Sequence, residues 1–304
     1  MITNKNVPPP YLEDLVTTAV GKKCISWNIP DCGLSSALRF SVQLADHSCV
    51  FVKASTDQET AQWLRNEYLV LSTHQQKFMP TVIKWIDEPT IYPVLITQDL
   101  SSAYWPASHN GVTWREGDFD LLFKGIKELS TVRANSVLPV LYKPTNSLWS
   151  KIASNPTAFL SLELCSTTWL NKAIAILIAA EKMTDVTGHY LVHGDLRSDN
   201  ICFLDSQVMF VDWSHAAQGN DLHDLASVLP TLYLEGGPAP YQVMPEAGSE
   251  AALSCARHIT RLTVQHAMPP WLKNVFKKLI AIELEWAAHC LELDEPDGIS
   301  WRSI

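Results

Sequence analysis

Residues 189–213 read HYLVHGDLRSDNICFLDSQVMFVDW, and the fold turns on how this stretch is understood. It sets two His, four Asp and one Asn among residues that are otherwise largely apolar. Its later parts, ICFLD and QVMFVDW, are short and apolar enough to pair as strands around an LDSQ turn. A plain hairpin has no use for these acids, so their spacing carries the information. His193, Asp195 and Asn200 form H-x-D-x-x-x-x-N, and the second strand runs into Asp212. That order suits phosphoryl transfer. A loop carboxylate at Asp195 can stand beside a substrate hydroxyl, while Asn200 and Asp212, on either side of the turn, supply hard oxygen ligands for Mg²⁺. Such an ion bridges nucleotide phosphates and offsets the charge that develops as phosphoryl leaves. Asp199 and Asp205 read as turn and capping residues.

Upstream, SSALRFSVQLADHSCVFVKAS (35–55) alternates and is rich in Val and Phe, which predicts a β-hairpin with ADHS as its turn. The segment TDQETAQWLRNEYLVLSTHQQKF opens with capping-type residues and carries Trp63, Leu64, Tyr68 and Leu71 at helical spacing, predicting a helix over 58–75. Two more short strands flank DEPT in TVIKWIDEPTIYPVLITQDL. After Leu100 the pattern turns to long helical segments, interrupted only by the opening stretch. The run AIAILIAA, Ala173 to Ala180, lies between Lys172 and Glu181 and is too short to cross a membrane, so it reads as a buried helix. The head VPPP and the tail DEPDGISWRSI read as loosely ordered. The organisation expected is a small β-rich lobe over residues 1–100 with one inserted helix, then a larger helical lobe over 101–304.

With these motifs in place, the sequence resembles the aminoglycoside phosphotransferase and choline kinase group of small-molecule kinases, whose fold is similar to that of eukaryotic protein kinases. HGDLRSDN followed by VDW looks like that group's catalytic loop and metal-binding Asp, where protein kinases have HRD and DFG. The likeness in motif order runs from about Gly33 to Asp224. It implies an α+β, protein-kinase-like bilobal fold, with a nucleotide-binding lobe over 1–100 that ends in a hinge and a helical lobe over 101–304. It also implies that Asp195 orients or deprotonates the acceptor hydroxyl, that Asn200 and Asp212 hold Mg²⁺, and that His193 supports the loop.

In the first lobe, Gly33, Ser35 and Ser36 of DCGLSSALRFSVQ stand where a phosphate-covering turn is expected, although an ordinary hairpin turn explains a single Gly equally well. Lys53 interrupts an apolar strand, where a buried ammonium is costly without an anionic partner. Glu67 looks like the family's Lys-pairing acid. Glu59 is the weaker choice, since the helix dipole already stabilises an acid in the first turn. VLITQDLSS resembles the hinge, which sets the backbone of Gln98 and Leu100 against the adenine edge.

Gly194 stands where protein kinases carry the Arg that reads a phosphorylated activation loop, and SHAAQGNDLHDLASVL leads straight from VDW into a helix without an APE-like element. The resemblance therefore favours a constitutively assembled small-molecule kinase that uses ATP, or GTP, and phosphorylates a hydroxyl of a small acceptor such as a cationic aminoglycoside, an amino alcohol or a sugar. The rival is a catalytically silent nucleotide-binding or scaffolding protein on the same fold. Glu235, Glu283, Glu285 and Trp286 are candidates for the acceptor side, yet IELEWAAHC reads most simply as an amphipathic helix with solvated glutamates and a core Trp. Tyr104, Trp105 and Trp114 read as packing rings, and Asp221 and Asp224 as capping acids.

The bulk numbers agree with a globular enzyme. The 304 residues are 47% apolar and 18% charged, enough to bury a large core. A net charge of −9 argues against nucleic acid as partner. No apolar run spans a membrane and the first residues lack a signal core, so a cytoplasmic location is expected. Seven cysteines, at 24, 32, 49, 165, 202, 255 and 290, are scattered without a close pair and read as reduced core residues.

Overall fold

The computed structural model describes residues 7–30, 36–264 and 268–304. Packing divides the chain into two compact units, residues 1–139 with 189–218, and residues 140–188 with 219–304. The hairpin expected from ICFLD and QVMFVDW thus packs with the first unit, whereas the sequence drew its boundary at residue 100.

In the first unit, the proline-rich head does not stay loose. Pro10 opens helix α1 (Pro10–Val20) at a position whose N–H would lack a helical partner in any case. Leu12 and Val16 of α1 are fully buried. Strands β1 (Cys24–Asn28), β2 (Leu38–Leu44) and β3 (Cys49–Ala54) follow, then α2 (Gln58–His74), β4 (Val82–Ile86) and β5 (Val94–Gln98). They form an antiparallel sheet in the order β1-β2-β3-β5-β4. One face, with Trp27, Phe40, Val42, Val52 and Ile96, clusters with Leu12 and Val16. Alternation along β3 therefore turns Lys53 to the opposite face.

Helix α2 starts one residue after Asp57, whose carboxylate accepts from Thr60 N at 2.8 Å while Asp57 N donates to Thr60 Oγ1 at 3.1 Å. It ends at His74, one residue short of the expected bound, because Gln75 takes φ 45°.

A minimal hairpin of β6 (Ala107–Ser108) and β7 (Gly111–Val112) precedes α3 (Asp118–Leu129), and β8 (Tyr190–Val192), β9 (Ile201–Leu204) and β10 (Gln207–Phe210) complete the unit's main elements. Strands β9 and β10 pair through a two-residue turn whose residues, Asp205 and Ser206, both have positive φ, 48° and 63°. Gly125 lets α3 lie against β10: a Cβ there would meet Val208 Cγ1 at 2.1 Å.

The second unit is helical: α4 (Leu148–Ser154), α5 (Thr157–Leu160), α6 (Thr167–Met183), α7 (His223–Leu234), α8 (Pro240–Val243), α9 (Gly248–Val264) and α10 (Pro270–Cys290). The AIAILIAA run of α6 is amphipathic rather than buried, with Ala173, Leu177 and Ala180 inward and Ile176 exposed. Near the end of α6, Glu181 accepts from Leu148 N at 2.7 Å and Trp149 N at 3.0 Å, which places a carboxylate on the N-terminus of α4.

The tail is also ordered. Asp297 accepts from Ser166 N and Ser166 Oγ, both at 2.6 Å, and Ile299 N donates to Glu163 O at 2.8 Å. Trp286 is core as expected, but Glu283 is not solvated. It is fully buried, accepting from Ser254 Oγ at 2.5 Å with His258 Nδ1 at 2.9 Å. Asp221 and Asp224, expected to cap α7, do not occupy its N-cap position, and Asp224 lies within its first turn. Its cap residue is Leu222, which makes no side-chain cap bond and whose N–H donates to Asn220 Oδ1 at 2.8 Å.

Of the described cysteines, which are all free, Cys24, Cys165, Cys202 and Cys255 are buried while Cys49 is exposed, contrary to expectation. Among the described residues, no helix is long and apolar enough to cross a membrane.

If α1 is integral to the first core, Leu12→Ala will cost about 3 kcal/mol, the middle of the range for emptying a fully buried leucine site. Urea unfolding followed by circular dichroism measures this.

Candidate active site

The first unit brings together Lys53, Glu67 and Asp212 from three separate elements. Lys53 Nζ lies 2.7 Å from Glu67 Oε2 on α2 and 2.7 Å from Asp212 Oδ1, just past β10. Lys53 and Glu67 are buried, and Glu59 is exposed in the first turn of α2. Burial alone would lower the Lys53 pKa, but the two carboxylates outweigh it and raise it, so the ammonium stays charged. Burial likewise works against an ionised Asp212, yet the Lys53 charge and the bonds from Lys53 and Ser214 hold its carboxyl well below the usual carboxylate range. Ser214 Oγ donates to Asp212 Oδ1 at 2.7 Å.

Asp195 and Asn200 form a second group within the same unit. Asn200 Nδ2 donates to Asp195 O at 2.8 Å and to Asp195 Oδ2 at 3.0 Å. Arg197, which sequence reasoning passed over although it stands inside the motif, lies between two acids, 3.5 Å from Asp195 Oδ2 and 3.4 Å from Asp199 Oδ2. Burial pushes the Asp195 carboxyl above its ordinary value, and the Arg197 charge opposes this. Asp205 sits in the hairpin turn, as expected of it.

His193 joins the two groups. Its Nε2 pairs with Val211 O at 2.9 Å and its Nδ1 accepts from Asp195 N at 3.3 Å, a pattern that fits a neutral ring with the proton on Nε2. The ring is fully buried, 4.5 Å from the Trp213 ring, and burial lowers its pKa to about 4. The neighbouring Gly194 has φ 78°, and a Cβ there would stand 2.6 Å from His215 O. Glycine at this position is thus demanded by backbone conformation and by the close approach of the Asp212 segment.

Asn200 and Asp212 flank the open end of the β9–β10 pair, away from the Asp205–Ser206 turn: Ile201 faces Phe210, and Val211 N donates to Asn200 O at 3.0 Å. With its Nδ2 turned to Asp195, the Asn200 amide presents its oxygen as an acceptor. An amide oxygen and a carboxylate are hard donors, and among the described residues no group of three or more His, Cys, Asp or Glu forms a larger cage. This set fits Mg²⁺, which typically takes few protein ligands and completes its shell with water and phosphate.

The other expected residues are placed as follows. Gly33 and Ser35 lie outside the described residues. Ser36 is exposed, and its Oγ donates to Asp57 Oδ2 at 3.1 Å, which ties it to the start of α2. Gln98 ends β5 with its N–H donating to Thr81 O at 2.8 Å. Leu100 is buried, and its carbonyl accepts from Ala103 N and Trp105 Nε1, both at 3.0 Å. Tyr104 packs under the Arg115 guanidinium and Trp114 beside Phe119.

Residues 173–259, under a third of the chain and including HGDLRSDN and Asp212, match the sequence profile described as the Phosphotransferase enzyme family. Among curated proteins, none matches the chain in sequence. Among solved structures, the GDP complex of wild-type aminoglycoside 2'-phosphotransferase-IIIa is similar over 95% of this chain and 99% of its own, with TM-score 0.55 and 15% identity. A thermostable mutant of aminoglycoside phosphotransferase APH(4)-Ia, in its apo form, is similar over 92% of this chain and 96% of its own, with TM-score 0.52 and 14% identity. Another structure of a thermostable APH(4)-Ia mutant, a ternary complex with ADP and hygromycin B, matches over 92% of this chain and 95% of its own, with TM-score 0.51 and 14% identity. The fold is therefore the α+β, kinase-like fold of the aminoglycoside phosphotransferases. The likeness drawn from the HGDLRSDN motif recurs in both the profile match and the solved structures.

Two outcomes follow from the His193 and Gly194 geometry. The His193 pKa falls from 6.5 to about 4 on folding, so the unfolded chain binds the extra proton first. The stability that His193 contributes is whole above pH 6.5 and is lost as pH falls toward about 4. Unfolding free energy across that window should decline less steeply in His193→Asn than in the unsubstituted protein. Gly194→Ala should cost about 1–3 kcal/mol from strain alone, and more if His215 O cannot move, as read by thermal unfolding.

Proposed function

We propose that the chain is a small-molecule kinase of this phosphotransferase family, which moves the γ-phosphoryl group of ATP, or of GTP, to a hydroxyl of a small acceptor. The observation that carries the proposal is the grouping, within one compact unit, of a charged Lys53 between Glu67 and Asp212, with Asp195 held by Asn200 through the same hairpin. A hairpin acid cluster without chemistry has no need of the buried ammonium.

Each residue then has a role. Asp195 orients the acceptor hydroxyl and takes its proton; burial raises its basicity toward the working pH, and Arg197 and Asn200 fix its carboxylate. Lys53, oriented by Glu67, faces the nucleotide phosphates, and Gly33, Ser35 and Ser36 cover them. At the hinge, the Gln98 N–H is engaged by Thr81 O and the Leu100 carbonyl by Ala103 and Trp105, and the backbone of Gln98 and Leu100 is the part of the chain that would meet the base edge. Asn200 and Asp212 would hold Mg²⁺, which would supply positive charge to offset the negative charge that develops as phosphoryl leaves.

The solved relatives in complex hold ADP with hygromycin B, or GDP with kanamycin, which supports a nucleotide co-substrate and an amine-bearing acceptor for this chain too. A net charge of −9 suits a cationic acceptor such as an aminoglycoside or amino alcohol, with a sugar as the neutral option. Glu283 is consumed by internal bonds, which removes it from the candidate acids for that acceptor within the helical part, 101–304. Residues 1–100 carry the nucleotide side. The proposed setting is the cytoplasm, without nucleic acid or membrane as partner.

ATP and GTP consumption in Mg²⁺, across aminoglycosides, macrolides, choline, ethanolamine, homoserine and sugars, tests the proposal. Asp195→Ala should keep nucleotide binding and cut turnover at least about a hundredfold. Full turnover in that variant would remove Asp195 from the mechanism, and nucleotide binding without turnover on any acceptor would favour a silent binding protein.

A further inference from the structure

We infer that Asn66 is a positioning residue that locks the segment carrying Asp212 onto helix α2 with bonds that no charge change can switch. The consequence for metal rests on the kinase reading above; the lock itself does not. Asn66 Nδ2 donates to Ser214 O at 2.9 Å and to Ala216 O at 3.0 Å. One residue on, Glu67 accepts from Lys53 Nζ at 2.7 Å, and the same ammonium donates to Asp212 Oδ1 at 2.7 Å. One turn earlier on α2, the Trp63 ring lies 5.6 Å from the His215 ring. Helix α2 thus grips residues 212 to 216 through the shared Lys53 ammonium, a ring and two carbonyls.

That segment needs such a grip. Asp212 takes φ 62°, and Trp213–His215 form a single 3₁₀ turn, so the stretch between β10 and the short strand Ala217–Gly219 has neither a ladder nor a long helix of its own. An amide nitrogen has two hydrogens, and Asn66 gives both to this segment. Aspartate has the same shape and no donor, so it would set a carboxylate against two carbonyl oxygens. Where kinases hold the corresponding segment by phosphorylation, order depends on a modification. Here a neutral amide and a glycine-permitted contact between Gly194 and His215 O do the holding, and the Asp212 carboxylate stays aimed whether or not a ligand is present.

The test is hydrogen–deuterium exchange on the whole protein without ligand, read by mass spectrometry, with Mg²⁺-dependent ATP binding measured on the same samples. In Asn66→Asp, amides of residues 213–217 should exchange at least about tenfold faster, with β1 to β3 unchanged. The Mg²⁺ concentration for half-maximal ATP binding should rise about tenfold, the lower range for losing a partner that orients a metal ligand. ATP binding without Mg²⁺ should stay as in the unsubstituted protein, which a general loss of fold would not allow. Asn66→Ala removes the donors without adding charge, should shift both readouts the same way, and decides the matter if Asn66→Asp does not fold. Unchanged exchange at 213–217 overturns the lock. Faster exchange with an unchanged Mg²⁺ requirement overturns its role in positioning Asp212. If the unsubstituted protein binds no Mg·ATP, the kinase reading fails while the exchange result still decides the lock.

Discussion

The buried ammonium of Lys53, held between Glu67 and Asp212, is the interaction on which the rest of the first unit depends. It joins β3, α2 and the chain after β10 at one point, and each partner is costly to bury alone. Removing either carboxylate would leave charge without its counterpart. The group also holds one more anion than cation. That surplus makes a divalent cation a favourable neighbour, while the Lys53 charge and the bonds from Lys53 and Ser214 keep Asp212 ionised despite burial.

Around this point the structure relies on neutral groups for order. His193 stays uncharged and both donates and accepts, so one ring ties the Asp195 loop to Val211. Gly194 lets His215 O approach where any side chain would collide. Asn66 supplies both amide hydrogens to the same segment. None of these bonds depends on a phosphate, which accords with a site assembled as soon as the chain has folded.

Much of this was legible in the text because the chemistry is local. H-x-D-x-x-x-x-N and the following strand lie within 25 residues, a range over which turn geometry dictates what meets what. Helix α2 was legible from Asp57 and its spacing of apolar residues, and Lys53 because a cation interrupting an apolar strand demands a partner. Other features were hidden by composition. VPPP looks like loose chain, yet Pro10 is well placed to open a helix, and Leu12 and Val16 find a sheet to cover. The tail looks polar and free, yet Asp297 has a docking partner in Ser166. Glu283 reads as a solvated helix face until Ser254 and His258 appear beside it.

By itself, then, the sequence determined the α+β class and the order of its main elements, and it singled out candidate residues that the structure draws together, because propensity, capping and motif spacing act over a few turns of chain. Only the tertiary structure decided that Asn66 reaches Ser214 and Ala216, 148 and 150 residues away, that Gly194 is required by a carbonyl rather than merely tolerated, and that Asp212 shares Lys53 with Glu67. Those partners are set by how the sheet, α2 and the β9–β10 hairpin close on one another. Closure is a property of packing over long separations, which no local pattern of residues encodes.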